Sequence, residues 1–470
     1  MAYRYGDRKQ RTLFPQSIDE YIPQDAPVRA YDAIIDSLDF AEIGIVLDPN
    51  KVGCPQYDPK VMLKLLVYGY SYGFRSSRKL ERETHYNLSF IWLTSGLKPD
   101  HKTIADFRRN NKSALKKVLR QCAGICIKLD LIEGNTLFVD GSSLRANASI
   151  KNTWDKKRCE RHLKKIDKRI EQILLDCEAI DIHEEGQSSL VKINQEVGNQ
   201  ERLKARVKEI LKELETKAVK SINTTDPECA RTGSHAGYNM QMVVDNKHGL
   251  IVSSDVVNEA NDLHQFDNQI TEANKVAEHK CQNACADSGY FNVDHLEKID
   301  QQKIKVIVPS QRQASGKPPG FFDKQNFRYD RIKDCYICPA GQALRYRRTN
   351  IHKKRKEYMA DTGLCKRCGN FGICTNSRTG RKVTRLLKED LRERLESQYQ
   401  QPSNQQIYKL RKQKVEPPFG HIKWNLKAGS LLLKGIEGAK AEASLLASCF
   451  NIVRMISIIG VQGLLVKLAG

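Results

Sequence analysis

Two absences narrow what this 470-residue chain can be. Its opening Met-Ala-Tyr-Arg-Tyr-Gly has no apolar stretch of the kind a secretory signal needs, which argues against export. Nor is there an unbroken run of about 20 apolar residues, the length that spans a bilayer. The most apolar stretch, Leu445 to Leu468, is interrupted by Asn451, Arg454, Gln462 and Lys467, so it reads as a buried helix pair and no membrane is expected. Acids are scarce relative to bases: 56 Asp+Glu stand against 78 Lys+Arg, a net charge of +22. With 40% hydrophobic and 29% charged residues the chain is expected to be soluble and globular. Its length suggests about two to four domains.

The excess of base is concentrated. Residues 331–430 hold 24 Lys+Arg against 8 Asp+Glu, and residues 61–120 hold 13 against 4, on an otherwise near-neutral body. Two basic blocks of this kind suit a polyanion, with nucleic acid the leading partner. Well-solvated surface faces are the plainer alternative. Of fourteen cysteines, nine stand singly or at helical spacing, such as Cys122 with Cys126, and read as buried thiols. The other five cluster. Cys335-x2-Cys338 and Cys365-x2-Cys368 have the pairing of a tetrahedral Zn²⁺ site, with Cys374 a substitute ligand and free thiols the alternative. Between the pairs, Arg345 to Lys356 holds seven Lys/Arg in twelve residues and no acid. Arg345, Arg347, Arg348, Lys353 and Lys354 there are expected to track DNA phosphates without reading sequence.

Residues 1–130 read as helical, with the apolar Val61–Tyr70 at the centre of a small bundle. Arg75, Arg78 and Arg108 lie on its basic segments and are candidate phosphate contacts. The core is expected over 131–330. Thr136 to Asp140 predicts a short buried strand ending in an acid, and strands follow at 237–245 and 250–257. A helix over 262–279 precedes a second strand that ends in an acid, Asp287, and a further helix and strand reach Val308. Within this region the heptad-like spacing of Leu163, Ile166, Ile170, Ile173, Cys177 and Ile180, then Leu203, Val207, Ile210 and Leu214, predicts an antiparallel helical hairpin inserted at about 151–220. The Cys-rich basic insert takes 331–400, and C-terminal helices over 401–470 complete the core. The fold class is α/β, a mixed sheet with helices.

Acids past the ends of neighbouring strands can converge and hold divalent metals for phosphoryl transfer, though acids also flank strands as ordinary turn residues. A third acid, Glu416, lies among Arg411, Lys412, Lys414 and Lys423, where a salt bridge is the simpler reading and phosphate binding the functional one. Pro417 and Pro418 are expected in the first turn of a helix running to about Lys427, with Glu416 at its N-terminus and Lys423 two turns on. Glu442 is the other candidate for the third acid.

The chain resembles bacterial insertion-sequence transposases of the DDE type, and in particular the eleven-eighty-two group. The resemblance rests on Tyr57-Asp-Pro-Lys-Val-Met-Leu63, Pro99-Asp-His-Lys-Thr-Ile-Ala-Asp-Phe-Arg108, Val139-Asp-Gly-Ser-Ser-Leu-Arg-Ala-Asn-Ala148, Thr225-Asp-Pro-Glu228, Gly237-Tyr-Asn239, Ala286-Asp-Ser-Gly-Tyr290, Val415-Glu-Pro-Pro-Phe-Gly-His-Ile-Lys423 and the Cys cluster. It implies an RNase H-like core in which Asp140, Asp287 and Glu416 bind two Mg²⁺ or Mn²⁺ ions. It also pairs Tyr408 and Arg411 with Glu416 and Lys423. The gap from Arg411 to Glu416 is one residue longer than in the related signature and Lys412 restores it, so both stay candidates. The implied activity is cleavage and strand transfer at terminal inverted repeats, by an oligomer on double-stranded DNA in the bacterial cytoplasm at the nucleoid. The alternatives are a nuclease on the same core, a catalytically dead DNA-binding descendant, and a zinc-stabilised RNA-binding module.

Overall fold

Helix Pro59–Ser71 shows how local chemistry sets the first unit. Asp58 accepts the Lys60 N–H at 2.8 Å, Pro59 occupies the first turn, and every residue from Met62 to Tyr70 is buried. Pro59–Ser71 and helices Pro27–Asp36 and Lys112–Lys128 pack with Ile436–Ile459. That last helix is long and apolar enough to cross a membrane, yet two thirds of its most apolar window is buried within the protein. Asn451 explains one of its polar interruptions: its side chain accepts from Ile251 N at 2.9 Å and donates to Ile251 O at 2.7 Å, satisfying a strand end. At the helix start, Gly435 N donates to Asp226 and Ile436 N to Glu228, so the Thr225–Glu228 acids serve its positive end.

The structure is a computed structural model describing residues 17–45, 47, 56–181, 187–217, 219–232 and 234–469. It divides into one unit of Met1–Asp262, Asn268–Cys281 and Lys412–Gly470 and another of Leu263–Asp267 and Gln282–Arg411. That division cuts across the expected boundaries, because the N-terminal helices share a core with the first strands and the C-terminal helices.

In the first unit the long strand His235–Asp245 pairs antiparallel with Thr136–Arg145, from Leu137 opposite Asp245 to Arg145 opposite Gly237. It also pairs with Ile251–Val257 and Ala230–Thr232. The strand containing Asp140 therefore does not end there. It runs on through Gly141-Ser-Ser, because the long partner strand continues the ladder, and Asp140 stands mid-strand opposite Met242. The inserted hairpin is formed by Lys156–Asp181 and Gln187–Thr216. Its antiparallel sense is written in ion pairs Lys156–Glu215, Lys204–Asp167 and Arg169–Glu196, and Ile166, Val207, Ile210 and Leu214 form its seam. The side chains of Cys177 and Ile180 and the turn at Gly186 lie outside the described residues.

In the second unit Asn283–Cys285 and Lys305–Ile307 pair in parallel, flanked by helices Val293–Asp300 and Glu389–Gln400. The Cys-rich segment folds as a five-stranded antiparallel sheet, Arg328–Asp330 to Lys382–Leu386, around Phe327, Tyr336, Leu344, Tyr358 and Val383. Glu357 is only 2% exposed there and accepts from Arg348 at 2.8 Å, with Lys382 at 2.7 Å. Those cations hold its carboxyl down at about 2. Since an unfolded Glu titrates near ~4.3, the stabilisation is complete above that value and disappears as pH falls towards the folded value. Acid unfolding followed by tyrosine fluorescence from about pH 5 downwards should show this loss, and Glu357→Gln should flatten it. An unchanged acid limb in the variant would refute the assignment.

Helix Pro402–Gly420 carries Tyr408, Arg411, Lys412 and Glu416. Pro417 and Pro418 sit inside it rather than in a first turn, and Glu416 is near its end, because the preceding fifteen residues already propagate the helix. The two prolines supply no N–H to the carbonyls of Gln413 and Lys414. The helix then widens into a π-turn, His421–Asn425, closed by Leu426 N to His421 O at 3.0 Å.

Candidate active site and basic surface

Asp140 and Glu416 lie in the first unit. Asp140 and Ser142 project from one face of their strand, two residues apart. The Lys423 ammonium donates to Ser142 Oγ at 2.6 Å. Burial lowers the Lys423 pKa, and the neighbouring Asp140 carboxylate partly offsets it. Two segments nearly three hundred residues apart thus meet. Glu416 is exposed on the helix preceding Lys423. On the strand's opposite face lies a network the sequence did not disclose: Asn239 and Gln241 both donate to Asp262 Oδ1, at 2.7 and 2.6 Å. Gly141 makes room for it, since a Cβ there would lie 2.4 Å from both Asp262 Oδ1 and Gln241 Nε2. Gly141→Ala should cost about 1–3 kcal/mol by overpacking. A urea titration checks this, and an unchanged midpoint would mean the network yields freely.

Asp287, Tyr408 and Arg411 lie in the second unit. Asp287 follows strand Asn283–Cys285 and caps the short turn Ser288–Tyr290 by accepting Gly289 N at 2.8 Å. Burial pushes the Cys285 thiol up to about 12, with Arg411 pulling it down and Asp287 raising it. Burial also raises the Tyr408 pKa, against Arg411. The Arg411 guanidinium lies 5.9 Å from the Tyr408 ring centroid. Asp287, Tyr408 and Arg411 thus share one electrostatic neighbourhood. Lys412 is exposed, and Arg411, the residue with the irregular spacing, is the one beside Tyr408.

Not every basic candidate faces solvent. Arg75 is 6% exposed; it donates to the carbonyls of Lys427 and Ser430 at 2.7 Å each and pairs with Glu442. Arg108 is also buried, on Tyr70 OH at 2.8 Å and Arg75 O at 3.0 Å. Both are spent inside the helical core, which corrects their expected phosphate role. The same network occupies the other candidate acid, Glu442, whose second oxygen accepts Leu432 N and Leu433 N at 2.7 and 3.0 Å. Arg78 is exposed at the start of Ser77–Tyr86. On the hairpin Ala343–Asn350/Arg355–Ala360, Arg345, Arg347 and Lys353 are exposed, and the register slips at Arg347. Arg348 pairs with Glu357 and Lys354 with Asp294.

Among the described residues no three His, Cys, Asp or Glu side chains are gathered as a metal-binding group. Cys338, Cys365, Cys368 and Cys374 nevertheless line one small cavity of about 30 Å³. Cys338 Sγ accepts Gln342 N at 3.2 Å and Cys365 Sγ accepts Arg381 N at 3.3 Å. Cys335 is buried in strand Cys335–Ile337 and does not line that cavity.

A family model described as a transposase domain matches residues 16–110, and one described as a transposase DDE domain matches residues 337–456. No curated protein matches the chain. Among solved structures there is a weak likeness to the piggyBac transposase in its synaptic complex with hairpin DNA. Identity is 11%, 92% of this chain and 74% of that chain are covered, and the TM-score is 0.34.

Proposed function

We propose that the chain is an insertion-sequence DDE transposase and that it cuts and joins DNA strands at terminal inverted repeats, using Asp140, Asp287 and Glu416 on an RNase H-like core. The observation that supports this best is Lys423, reaching from the turn after the Glu416 helix to Ser142 beside Asp140. Carboxylates are the hard oxygen donors that Mg²⁺ or Mn²⁺ takes, and two such ions would activate the attacking oxygen and stabilise the leaving one. The protein's own groups position the DNA. Lys423 offers a half-buried cation for a phosphate oxygen beside Asp140, and Arg411, buried beside Tyr408, would be the corresponding cation near Asp287. The exposed Arg78, Lys412, Arg345, Arg347 and Lys353 hold backbone further away. Water, then the freed 3′-OH, attacks phosphorus without a covalent protein intermediate. We place the reaction at the nucleoid, in an oligomer that pairs two ends.

Zinc is proposed at Cys338, Cys365, Cys368 and Cys374, where thiolates would receive the two N–H donors already in place. Zinc content of the purified chain should approach one per protomer and fall in Cys374→Ser but not in Cys335→Ser. The reverse pattern would return Cys335 to the ligand set.

The decisive experiment incubates labelled duplexes carrying the ends that flank the gene with the protein and Mg²⁺ or Mn²⁺. Cleavage at the repeat boundary followed by joined products supports the transposase; cleavage without joining identifies a nuclease. Binding without cleavage identifies a dead core, and neither refutes the proposal for those ends.

A further inference from the structure

Trp424 is 81% exposed, although it lies between Ile422 and Leu426, both fully buried. Among the chain's three tryptophans the contrast is sharp. Trp92 is half-buried, with Arg29 5.0 Å from its ring centroid and its indole N–H on Asp19, and Trp154 is half-buried with Arg158 at 4.4 Å. Single exposed apolar residues are ordinary, so exposure alone decides nothing.

Two further features do. The first is that the turn holding Trp424 is braced. Leu426 N and Ala428 N bond back to His421 O and Ile422 O at 3.0 Å each, and Asn425 Nδ2 meets His421 Nδ1 at 3.1 Å. Arg75 ties down Lys427 O from within the core. Gly73, at φ +74°, admits the Asn425 carbonyl, which a Cβ there would meet at 3.3 Å. The indole is therefore displayed from a fixed frame. The second is position: the preceding residue, Lys423, reaches Ser142 beside Asp140, and an exposed Lys427 follows three residues on. An exposed indole with a cation one residue before it and another three residues after it, the first reaching the strand that carries a candidate acid, suits a nucleobase with its neighbouring phosphates.

We propose, resting on the function above, that Trp424 stacks on a nucleobase of the end DNA adjacent to the scissile phosphate. Lys423 and Lys427 hold the phosphates on either side. The contact is made on binding and precedes cleavage.

The test uses the full chain with Trp92→Phe and Trp154→Phe, leaving Trp424 as the reporter, and titrates the flanking-end duplexes in EDTA, where no cleavage occurs. Indole emission should be quenched on binding, and acrylamide should reach the ring less readily in the complex. In an otherwise wild-type chain, Trp424→Ala should weaken end binding by about tenfold to a hundredfold, the scale of one lost stacking contact. Trp424→Phe should recover most of it, and both variants should keep the parental melting temperature. Unquenched emission with full acrylamide access in a complex that forms, together with unchanged affinity of Trp424→Ala, overturns the proposal. Quenching in a chain that never cleaves leaves the stacking contact standing and removes the catalytic reading instead, so the two failures are separable.

Discussion

On the proposed function, Asp140→Asn should abolish metal-dependent cleavage of end DNA while the protein still binds that DNA. The loss expected is about a hundredfold to a thousandfold or more, the range seen when one group stabilising a developing charge is removed from a preorganised site. Asn keeps the shape of Asp but removes its charge. The strand pairing of Asp140 with Met242 is a backbone contact and is unaffected. Asp287→Asn and Glu416→Gln should behave alike, since groups that act as one unit are not additive and a double variant should be little worse than a single. Single-turnover cleavage with Mn²⁺, run beside a gel-shift on the same duplex, separates chemistry from binding. Cleavage at the parental rate in Asp140→Asn would remove this acid from the reaction. Lys423→Ala distinguishes a phosphate contact from a structural one, because it should weaken cleavage without moving the melting temperature.

The second large effect is on stability. Arg75 and Glu442 form an ion pair in which both side chains are buried, and each also satisfies backbone groups of the 427–433 segment. Removing one partner leaves a buried charge without compensation, so Arg75→Ala or Glu442→Ala should each cost about 3–5 kcal/mol. Urea unfolding reads this directly. Replacing both by Met and Leu should restore only the part due to the unpaired charge, because the backbone groups of 427–433 then lose their side-chain partners. The same experiment arbitrates between the two acids considered for the third catalytic position. Should Glu442→Gln retain full stability yet lose cleavage, Glu442 rather than Glu416 would belong to the chemistry.

Periodicity made the helical hairpin legible, because a two-helix seam needs little more than apolar residues at alternating three and four. The strands around Asp287 were legible for a similar reason: short apolar runs punctuated by turn residues. The position of Asp140 was not. Gly141-Ser-Ser looks like a turn, and nothing local says that the partner strand His235–Asp245 is long enough to carry the ladder through it. Pro417 and Pro418 misled for a related reason. Local chemistry favours a helix start, but fifteen residues of helix already precede them. Arg75 and Arg108 show the limit of charge counting. A guanidinium at the surface and one bonded inside a core look identical in a basic segment, and only long-range partners such as Glu442 and Lys427 O tell them apart.

The hairpin insert has one further consequence. Its two ends are fastened to each other: Thr153–Asp155 pairs with Ser221–Asn223, Thr153 opposite Asn223 and Asp155 opposite Ser221. Asn223 reinforces the clasp by donating to Ser149 O and Thr153 Oγ1 at 2.8 and 2.9 Å. Helices Lys156–Asp181 and Gln187–Thr216 therefore form a stalk on a closed base, and the chain leaves and re-enters the sheet at the same place whatever the stalk's length. Change can accumulate there by whole helical turns, lengthening, shortening or re-facing the stalk, while the strand that carries Asp140 keeps its register. A molecule so arranged can exchange what it touches at a distance without renegotiating its centre.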